Sequence, residues 1–318
     1  MKRLFFTVLF VIILTSPLYP GQRLNIFYQN DLHGWFFPSA QEAGLPKVLE
    51  ILKGENQKGP PNFYVVAGDI LTGPLLPEDK KGRAELEVWG LYQRELDQIG
   101  FRDRHILSLG NHEFDYGFPE ILKELNPICA NIVNEKNEPY FRPFTIAKER
   151  GISVSFLGLI MDDYPKVNSV LKEKGLRVED MKGSIKKYEP SICKADIAAL
   201  VIHDNISDIK DLVEGLSNDS CIDIVITGHT HITTENPIYI KGKPMVQAGS
   251  MNQYLGKLEL EYEEGKVKVV QNQLIPLFPD RFTYELMNFK EMVSEQKGNS
   301  IALVRSSLYK PKGRIPNE

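Results

Sequence analysis

Five of the six histidines in this 318-residue chain sit in four short clusters, three of which also hold Asp or Asn. The four are Asn30-Asp31-Leu32-His33-Gly34, Gly110-Asn111-His112-Glu113-Phe114-Asp115, Val201-Ile202-His203-Asp204 and Gly228-His229-Thr230-His231. A fifth cluster, Gly68-Asp69, lacks histidine and falls between the first two. Asp31 and His33 are spaced i, i+2, so at an extended strand end both side chains project to one side and can share a cation. His229 and His231 repeat that spacing. Asp69 offers a carboxylate able to bridge two ions, Asn111 a neutral amide oxygen and His203 an imidazole. This donor set mixes nitrogen and oxygen without sulfur, which suits Zn²⁺, Mn²⁺, Fe or Co²⁺ better than Ca²⁺. Taken singly each cluster has a plainer reading: local polarity for Asp-x-His or His-x-His, a turn for Gly-Asp, a satisfied buried ring for His203. Their joint occurrence points to a metal centre on the rim of a sheet.

The elements that must position these residues follow from the apolar runs ahead of them. Leu24–Gln29, Phe63–Ala67, His105–Leu109, Ile128–Ala130, Val154–Ile160, Ile197–Ile202 and Ile222–Thr227 are short and nearly continuous, as expected of strands covered on both faces. Each cluster then lies at a strand's C-terminal end. Leu45–Leu52, Ala84–Ile99, Phe118–Leu125 and Ile206–Leu216 read as helices; Leu86, Trp89, Tyr92 and Leu96 make the second the clearest. Strand–helix alternation of this kind implies a layered α/β fold. Met245–Ala248 and Leu258–Tyr262 read as further strands joined through Gly-containing turns. Gly54–Pro61 reads as a surface loop, Pro276–Pro279 as a break, Phe282–Gln296 as a last helix and Lys310–Glu318 as a frayed tail.

The formal charge is −4, with 42% hydrophobic and 25% charged residues. That is an ordinary soluble composition, and with no basic stripe it argues against a nucleic-acid polymer as partner. The first 20 residues stand apart. Lys2 and Arg3 precede the apolar stretch Leu4–Leu14, and Ser16, Pro17 and Pro20 then break any helix, the pattern of an export signal. An uncleaved membrane tether through residues 4–14 is the alternative. Cys193 and Cys221 each lie near the start of a predicted strand, so the two sulfurs meet if those strands are neighbours in an oxidising compartment. Cys129 reads as a buried small hydrophobe.

Together, Asp31-x-His33, Gly68-Asp69, Gly110-Asn111-His112-Glu113, His203 and Gly228-His229-x-His231 resemble the five-block signature of calcineurin-like metallophosphoesterases. The wording of the first and third clusters is similar to the 5′-nucleotidase branch. So is Gln247-Ala248-Gly249-Ser250 with Tyr254-Leu255-Gly256, and the match covers roughly residues 24–275. The resemblance implies a four-layer α/β/β/α sandwich over 21–280, following a signal peptide or anchor in 1–20. It implies two divalent ions about 3.5–4 Å apart that bind and acidify a shared water for in-line attack on phosphorus. One ion would be held by Asp31, His33, Asp69 and His231, the other by Asp69, Asn111, His203 and His229. His112 would be no ligand but the group that stabilises the transition state or protonates the leaving oxygen, oriented by Asp115.

Other residues near the motifs carry structural expectations. His105 is read as structural, and Trp35, Phe36 and Phe37 as packing. Asp204 is expected either to orient the His203 ring or to cap the following helix, and Asp162 and Asp163 to form a solvated turn. The resemblance also has a departure. The 5′-nucleotidase branch carries a second domain that reads the nucleotide, whereas residues 281–318 supply only a helix and tail. The expected activity is therefore hydrolysis of a small phosphoester, nucleotide or other, by an exported periplasmic or extracellular enzyme. A thiosulfohydrolase-like activity on sulfur esters is the competing enzymatic reading. A metal-bound protein that docks a partner protein or domain at its C-terminus is the non-enzymatic one.

Overall fold

The motif-bearing strands are apolar on both faces because each is covered twice. In the computed structural model, which describes residues 21–38, 43–73 and 82–278, the chain runs β1 (Gln22–Gln29), α1 (Gly44–Lys58), β2 (Asn62–Ala67), α2 (Arg83–Leu96), β3 (His105–Ser108) and β4 (Ile132–Asn134). It continues β5 (Phe144–Glu149), β6 (Ile152–Ile160), α3 (Pro165–Lys172), β7 (Leu176–Val178), α4 (Met181–Ile192), β8 (Ile197–His203) and α5 (Ile206–Glu214). It closes with β9 (Ile222–Gly228), β10 (Ile238–Ile240), β11 (Lys243–Val246), β12 (Tyr254–Glu263) and β13 (Lys266–Pro276). The expected export signal, the helix Phe282–Gln296 and the tail Lys310–Glu318 lie outside the described residues.

Two sheets stack face to face, ordered β13-β12-β1-β2-β3 and β10-β11-β9-β8-β6-β5, with β4 and β7 forming a separate antiparallel pair. β1, β2 and β3 are mutually parallel, as are β6, β8, β9 and β11. Alternation along each strand assigns its two faces. Leu24, Ile26 and Tyr28 of β1 and Phe63, Val65 and Ala67 of β2 point between the sheets, against Val154, Phe156, Ala199, Val201, Ile224 and Ile226. The intervening Phe27, Tyr64 and Val66 face outward into a cluster with Leu45, Val48 and Leu52 of α1 and Leu86, Trp89 and Tyr92 of α2. On the second sheet, Ala198, Leu200 and Ile202 of β8 face Ile185 of α4 and Ile209 and Val213 of α5. This is the α/β/β/α order that the resemblance implies.

Several local expectations need correction. Gly54–Pro61 is not all loop, because α1 continues to Lys58. Phe118–Leu125 is a short 3₁₀ segment over Glu120–Leu125 after an extended Pro119. Ile128–Ala130 makes only isolated bridges, Ile128 pairing with Ser108 and Arg142. The long second helix closes in a π turn over Asp97–Phe101, where Gly100 has φ 94°. α3, α4 and β5 went unread. α4 hides behind an internal Pro190, and its one clear signal is Asp180, whose side chain accepts from the Gly183 N–H. Met245–Ala248 and Leu258–Tyr262 do not join to each other. β11 pairs with β9 in the second sheet and β12 with β1 in the first, so the chain crosses between sheets at 247–253.

Cys193, capping α4, and Cys221, just before β9, form a disulfide across 5.7 Å between Cα atoms. Cys129 is free and buried. No helix among the described residues is long and apolar enough to cross a membrane.

Candidate metal centre

Parallel strands send all their C-terminal ends to one rim, and outside that rim is where open α/β sheets place their ligands. β1, β2 and β3 deliver Asp31 and His33, Asp69, and Asn111 and His112 from the first sheet. β8 and β9 deliver His203, His229 and His231 from the second. The site therefore straddles both sheets. Nδ1 of His203 lies 2.7 Å from the Ala67 carbonyl, and the His229 N–H donates to Asp31 at 2.9 Å, each contact crossing from one sheet to the other.

The backbone at this rim is unusual. Asp31, His33, Asp69, His229 and His231 all adopt positive φ, from 45° to 87°. Non-glycine residues rarely do so, and each instance costs of order 1–3 kcal/mol. Strain concentrated on five of the seven expected ligands is what a site held by its surroundings for function shows. Glycines beside the motifs explain the close packing. A Cβ on Gly68 would meet His203 Nδ1 at 2.7 Å, one on Gly110 would meet Asp69 Oδ1 at 2.3 Å, and one on Gly228 would meet His203 Nδ1 at 2.6 Å. The buried His203 ring fills the space that three side chains would otherwise take.

Three overlapping groups have potential ligand atoms within 4.8 Å of one another: Asp31–His33–His231, His33–Asp69–His112 and Asp69–His203–His229. Nε2 of His33 and His231 face each other at 3.1 Å. Nδ1 of His33 lies 3.2 Å from the Leu71 carbonyl, which only accepts, so that carbonyl places the proton on Nδ1 and leaves a lone pair on Nε2. The Ala67 carbonyl does the same for His203. His203 Nε2 and Asp69 Oδ2 lie 2.9 Å apart, yet neither buried atom has a hydrogen-bond partner, because the contact lacks hydrogen-bond alignment. Two buried lone-pair atoms aimed at shared space, two imidazole Nε2 atoms facing each other and a second carboxylate, Asp31 Oδ1, at 3.3 Å from His231 Nε2 fit a bound cation. His229 Nδ1 lies 3.0 Å from Asn111 Oδ1, bringing those two donors together.

The electrostatics agree with that fit. Burial holds the His33 and His229 imidazoles below their ordinary value, favouring the neutral, ligating form. Burial also pushes His203 down, but the adjacent Asp69 and Asp31 carboxylates outweigh it and lift the ring to about 10. A cation would take the place of that proton. His231 is held up by its hydrogen bond to Asp31. His112 and His231 are the open side of the site, with side chains 32% and 39% exposed, while Asp31, Asp69 and His203 are buried. His112 Nδ1 donates to Asp115 Oδ2 at 2.5 Å, and its Nε2 lies 4.0 Å from Asp69 Oδ2.

The structure brings all seven expected ligands and the His112–Asp115 pair together, and adds residues to which the sequence assigned no role. Glu113 is buried and accepts from the backbone N–H groups of Asp69, Ile70 and Gly110, tying the Asp69 loop to the Asn111 loop. Burial and the neighbouring Asp69 raise its carboxyl to about 7. Asn30 gives its amide to Asp31 Oδ2 and the Gly249 carbonyl and accepts from Ala248 N–H, so it fixes Asp31 to the crossover loop. Gln247 accepts from the Ile232 N–H and holds the His229–His231 turn from behind. All three lie inside the quoted motif stretches, but nothing in their spacing signals the backbone groups they hold.

The plainer expectations sort cleanly. His105 pairs with Asp97 at 3.0 Å away from the rim, and Phe36 and Phe37 are buried in the helix-facing core. Asp204 neither orients His203, whose Nδ1 is taken by Ala67, nor caps α5. Its carboxylate accepts from the adjacent Asn205 N–H, and Asn205 is the N-cap.

Residues 24–233 match the family described as calcineurin-like phosphoesterase. A 5′-nucleotidase of Vibrio vulnificus is 25% identical over 297 residues, covering 80% of this chain and 52% of that protein. The chain thus spans about half the length of the curated relatives it matches. Among solved structures, a 5′-nucleotidase precursor of Thermus thermophilus superposes with TM-score 0.67 at 19% identity, over 86% of this chain and 60% of its own. The sulfate thiohydrolase SoxB of the same organism gives 0.66 at 16% identity, over 88% and 62%. At such identities these two structures speak to the fold, while the family match spans most of the chain and takes in every motif at the rim. The chain belongs to the calcineurin-like phosphoesterase family and is related to its 5′-nucleotidases.

Proposed function

We propose that this chain is a dinuclear-metal-dependent hydrolase of small phosphoesters, with nucleotides as the leading substrate class. The observation that carries the reading is that the buried Asp69 groups with His33 and His112 on one side and with His203 and His229 on the other, with Asp31, His33 and His231 grouped alongside and Asp115 paired to His112. Asp31, His33, Asp69 and His231 would hold one ion, and Asp69, Asn111, His203 and His229 the other. When bound, such ions supply Lewis acidity at phosphoryl oxygens and bring the pKa of water down toward neutrality. Mn²⁺, Zn²⁺, Fe and Co²⁺ all suit these donors.

The chain's own contribution is a proton and its placement. With Nδ1 committed to Asp115, His112 presents Nε2 to the open side of the site. There it can hydrogen-bond a phosphoryl oxygen or hand a proton to the leaving oxygen. Asp115 fixes the tautomer and stabilises the imidazolium. The reading includes export, supported by a Cys193–Cys221 disulfide of the kind that persists in oxidising compartments and by the basic Lys2 and Arg3 ahead of an apolar stretch.

The test is reconstitution of metal-free protein with Mn²⁺ or Zn²⁺, followed by assay on p-nitrophenyl phosphate, a 5′-nucleotide, a phosphodiester and an S-sulfonated thiol. Turnover of a phosphate ester is expected. Turnover of the thiol derivative alone would replace this reading with a sulfur-ester hydrolase, and no turnover with two metals bound would end the hydrolase reading.

A further inference from the structure

Asp115 is held more firmly than a partner of one histidine requires. Its Oδ2 accepts from His112 Nδ1 at 2.5 Å and from Thr72 Oγ1 at 3.0 Å, and its Oδ1 lies 2.6 Å from Lys166 Nζ. The three partners come from three places: the turn after β3, the loop after β2, and the first turn of α3. The Asp115 side chain is only 11% exposed.

Two of these partners sit where local stability does not favour them. Thr72 is β-branched yet has φ 69°, a left-handed conformation such residues seldom adopt. Lys166 places a positive charge in the first turn of α3, at the positive end of the helix dipole. Helix stability therefore does not explain Lys166, and backbone preference does not explain Thr72. Both contact the same carboxylate. That carboxylate is the group that fixes which nitrogen of His112 carries its proton and which faces the site. Burial would raise the Asp115 carboxyl, and Lys166, His112 and Thr72 together hold it below the ordinary range.

We propose that Thr72 and Lys166 are positioning residues that clamp the Asp115 carboxylate against His112, so that α3 controls the orientation of the catalytic imidazole. The inference rests on the hydrolase reading of the same site. Lys166 acts through Asp115 and not on the substrate. Its removal then lowers kcat while leaving KM for a small phosphoester unchanged, and it has no effect once Asp115 can no longer orient the ring.

A double-mutant cycle on the full-length, metal-loaded protein tests this, with p-nitrophenyl phosphate as probe. Lys166→Met and Thr72→Val are each expected to lower kcat by about 10–100-fold, by analogy with loss of the groups that orient metal-ligating histidines. Lys166→Arg and Thr72→Ser should restore most of it. In an Asp115→Asn background, Lys166→Met should change kcat by less than about twofold, the mark of one coupled unit. Additive losses, or a change confined to KM, would overturn the clamp. A second arm needs no turnover. The His112 Nδ1 proton should give a far-downfield NMR signal in metal-free wild type that is absent in Asp115→Asn and shifted or broadened in Lys166→Met. An unchanged signal in Lys166→Met also overturns the clamp. Inactive wild-type protein counts against the hydrolase reading, and the NMR arm then decides the clamp by itself.

Discussion

At the residue scale, the donor set is only as good as the space kept around it. Gly110 has Asp69 Oδ1 and the His203 ring within 2.7 Å of where a Cβ would stand. Gly110→Ala is therefore expected to push the Asp69 carboxylate off its position. Metal affinity should fall by about 10–100-fold, by analogy with loss of groups that support metal ligands. Isothermal titration with Mn²⁺ or Zn²⁺ measures this, and wild-type affinity in the variant would show that the packing around His203 is not needed for the site. His112→Asn makes the opposite prediction. Turnover should drop by roughly 10²–10⁴-fold, the usual contribution of a general acid or base, while both metals still bind. Loss of metal instead would place His112 among the ligands. The nine expected ligand and catalytic side chains were legible as clusters of Asp, Asn and His behind apolar runs, and their division into roles came from the family resemblance. The i, i+2 pairs Asp31/His33 and His229/His231 share a side in left-handed backbone, not in extended strand. Glu113, Asn30 and Lys166 were not legible. Each acts through a backbone group or carboxylate distant in sequence, as when Glu113 reaches Asp69 N–H or Lys166 reaches Asp115.

At the element scale, the second half of the site depends on how β8 and β9 are held. The Cys193–Cys221 disulfide joins the end of α4 to the start of β9, closing a stretch with a sequence separation of 28. It lies at the N-terminal ends of β8 and β9, whereas His203 and His229 lie at or just past their C-terminal ends. Replacing both cysteines with serine should lower stability by about 2–4 kcal/mol. Turnover well below the melting temperature should stay unchanged. Urea unfolding with parallel assays checks both parts, and loss of activity at full folding would mean that the bond shapes the site. Apolar runs marked β1, β2, β6, β8 and β9 clearly because both of their faces are buried. α4 and β5 were missed for physical reasons. α4 carries Gly183 and Pro190, whose helix propensities are poor. β5 is an edge strand that stays only partly buried, so its apolar pattern is diluted.

At the scale of the whole molecule, the candidate centre joins two sheets that otherwise meet through apolar packing such as Phe63 against Phe156. Asp31, Asp69 and Asn111 belong to one sheet, and His203, His229 and His231 to the other. An ion that binds only when both rims are in register stabilises the folded state by mass action. The gain is about 2.7 kcal/mol at a free concentration one hundredfold above Kd. Thermal melts of the metal-free and metal-loaded protein should differ accordingly, and chelator should reverse the shift. Equal melting temperatures at saturating metal would rule out a site that spans the sheets. Part of such a gain would offset the left-handed backbone at Asp31, His33, Asp69, His229 and His231.

The order of the motifs, their chemistry and the alternation of apolar strands with helices belong to the sequence by itself, because they depend on residue type and short spacing. Tertiary structure decided what spacing cannot carry. It determined that β11 and β12 separate into different sheets and that His203 packs between three glycines from distant loops. It also set the His33 and His203 tautomers through backbone carbonyls, and it brought Thr72 and Lys166 together on Asp115. Each of these is a contact between residues far apart in the chain, settled when the two sheets stack and their parallel strands end at a common rim.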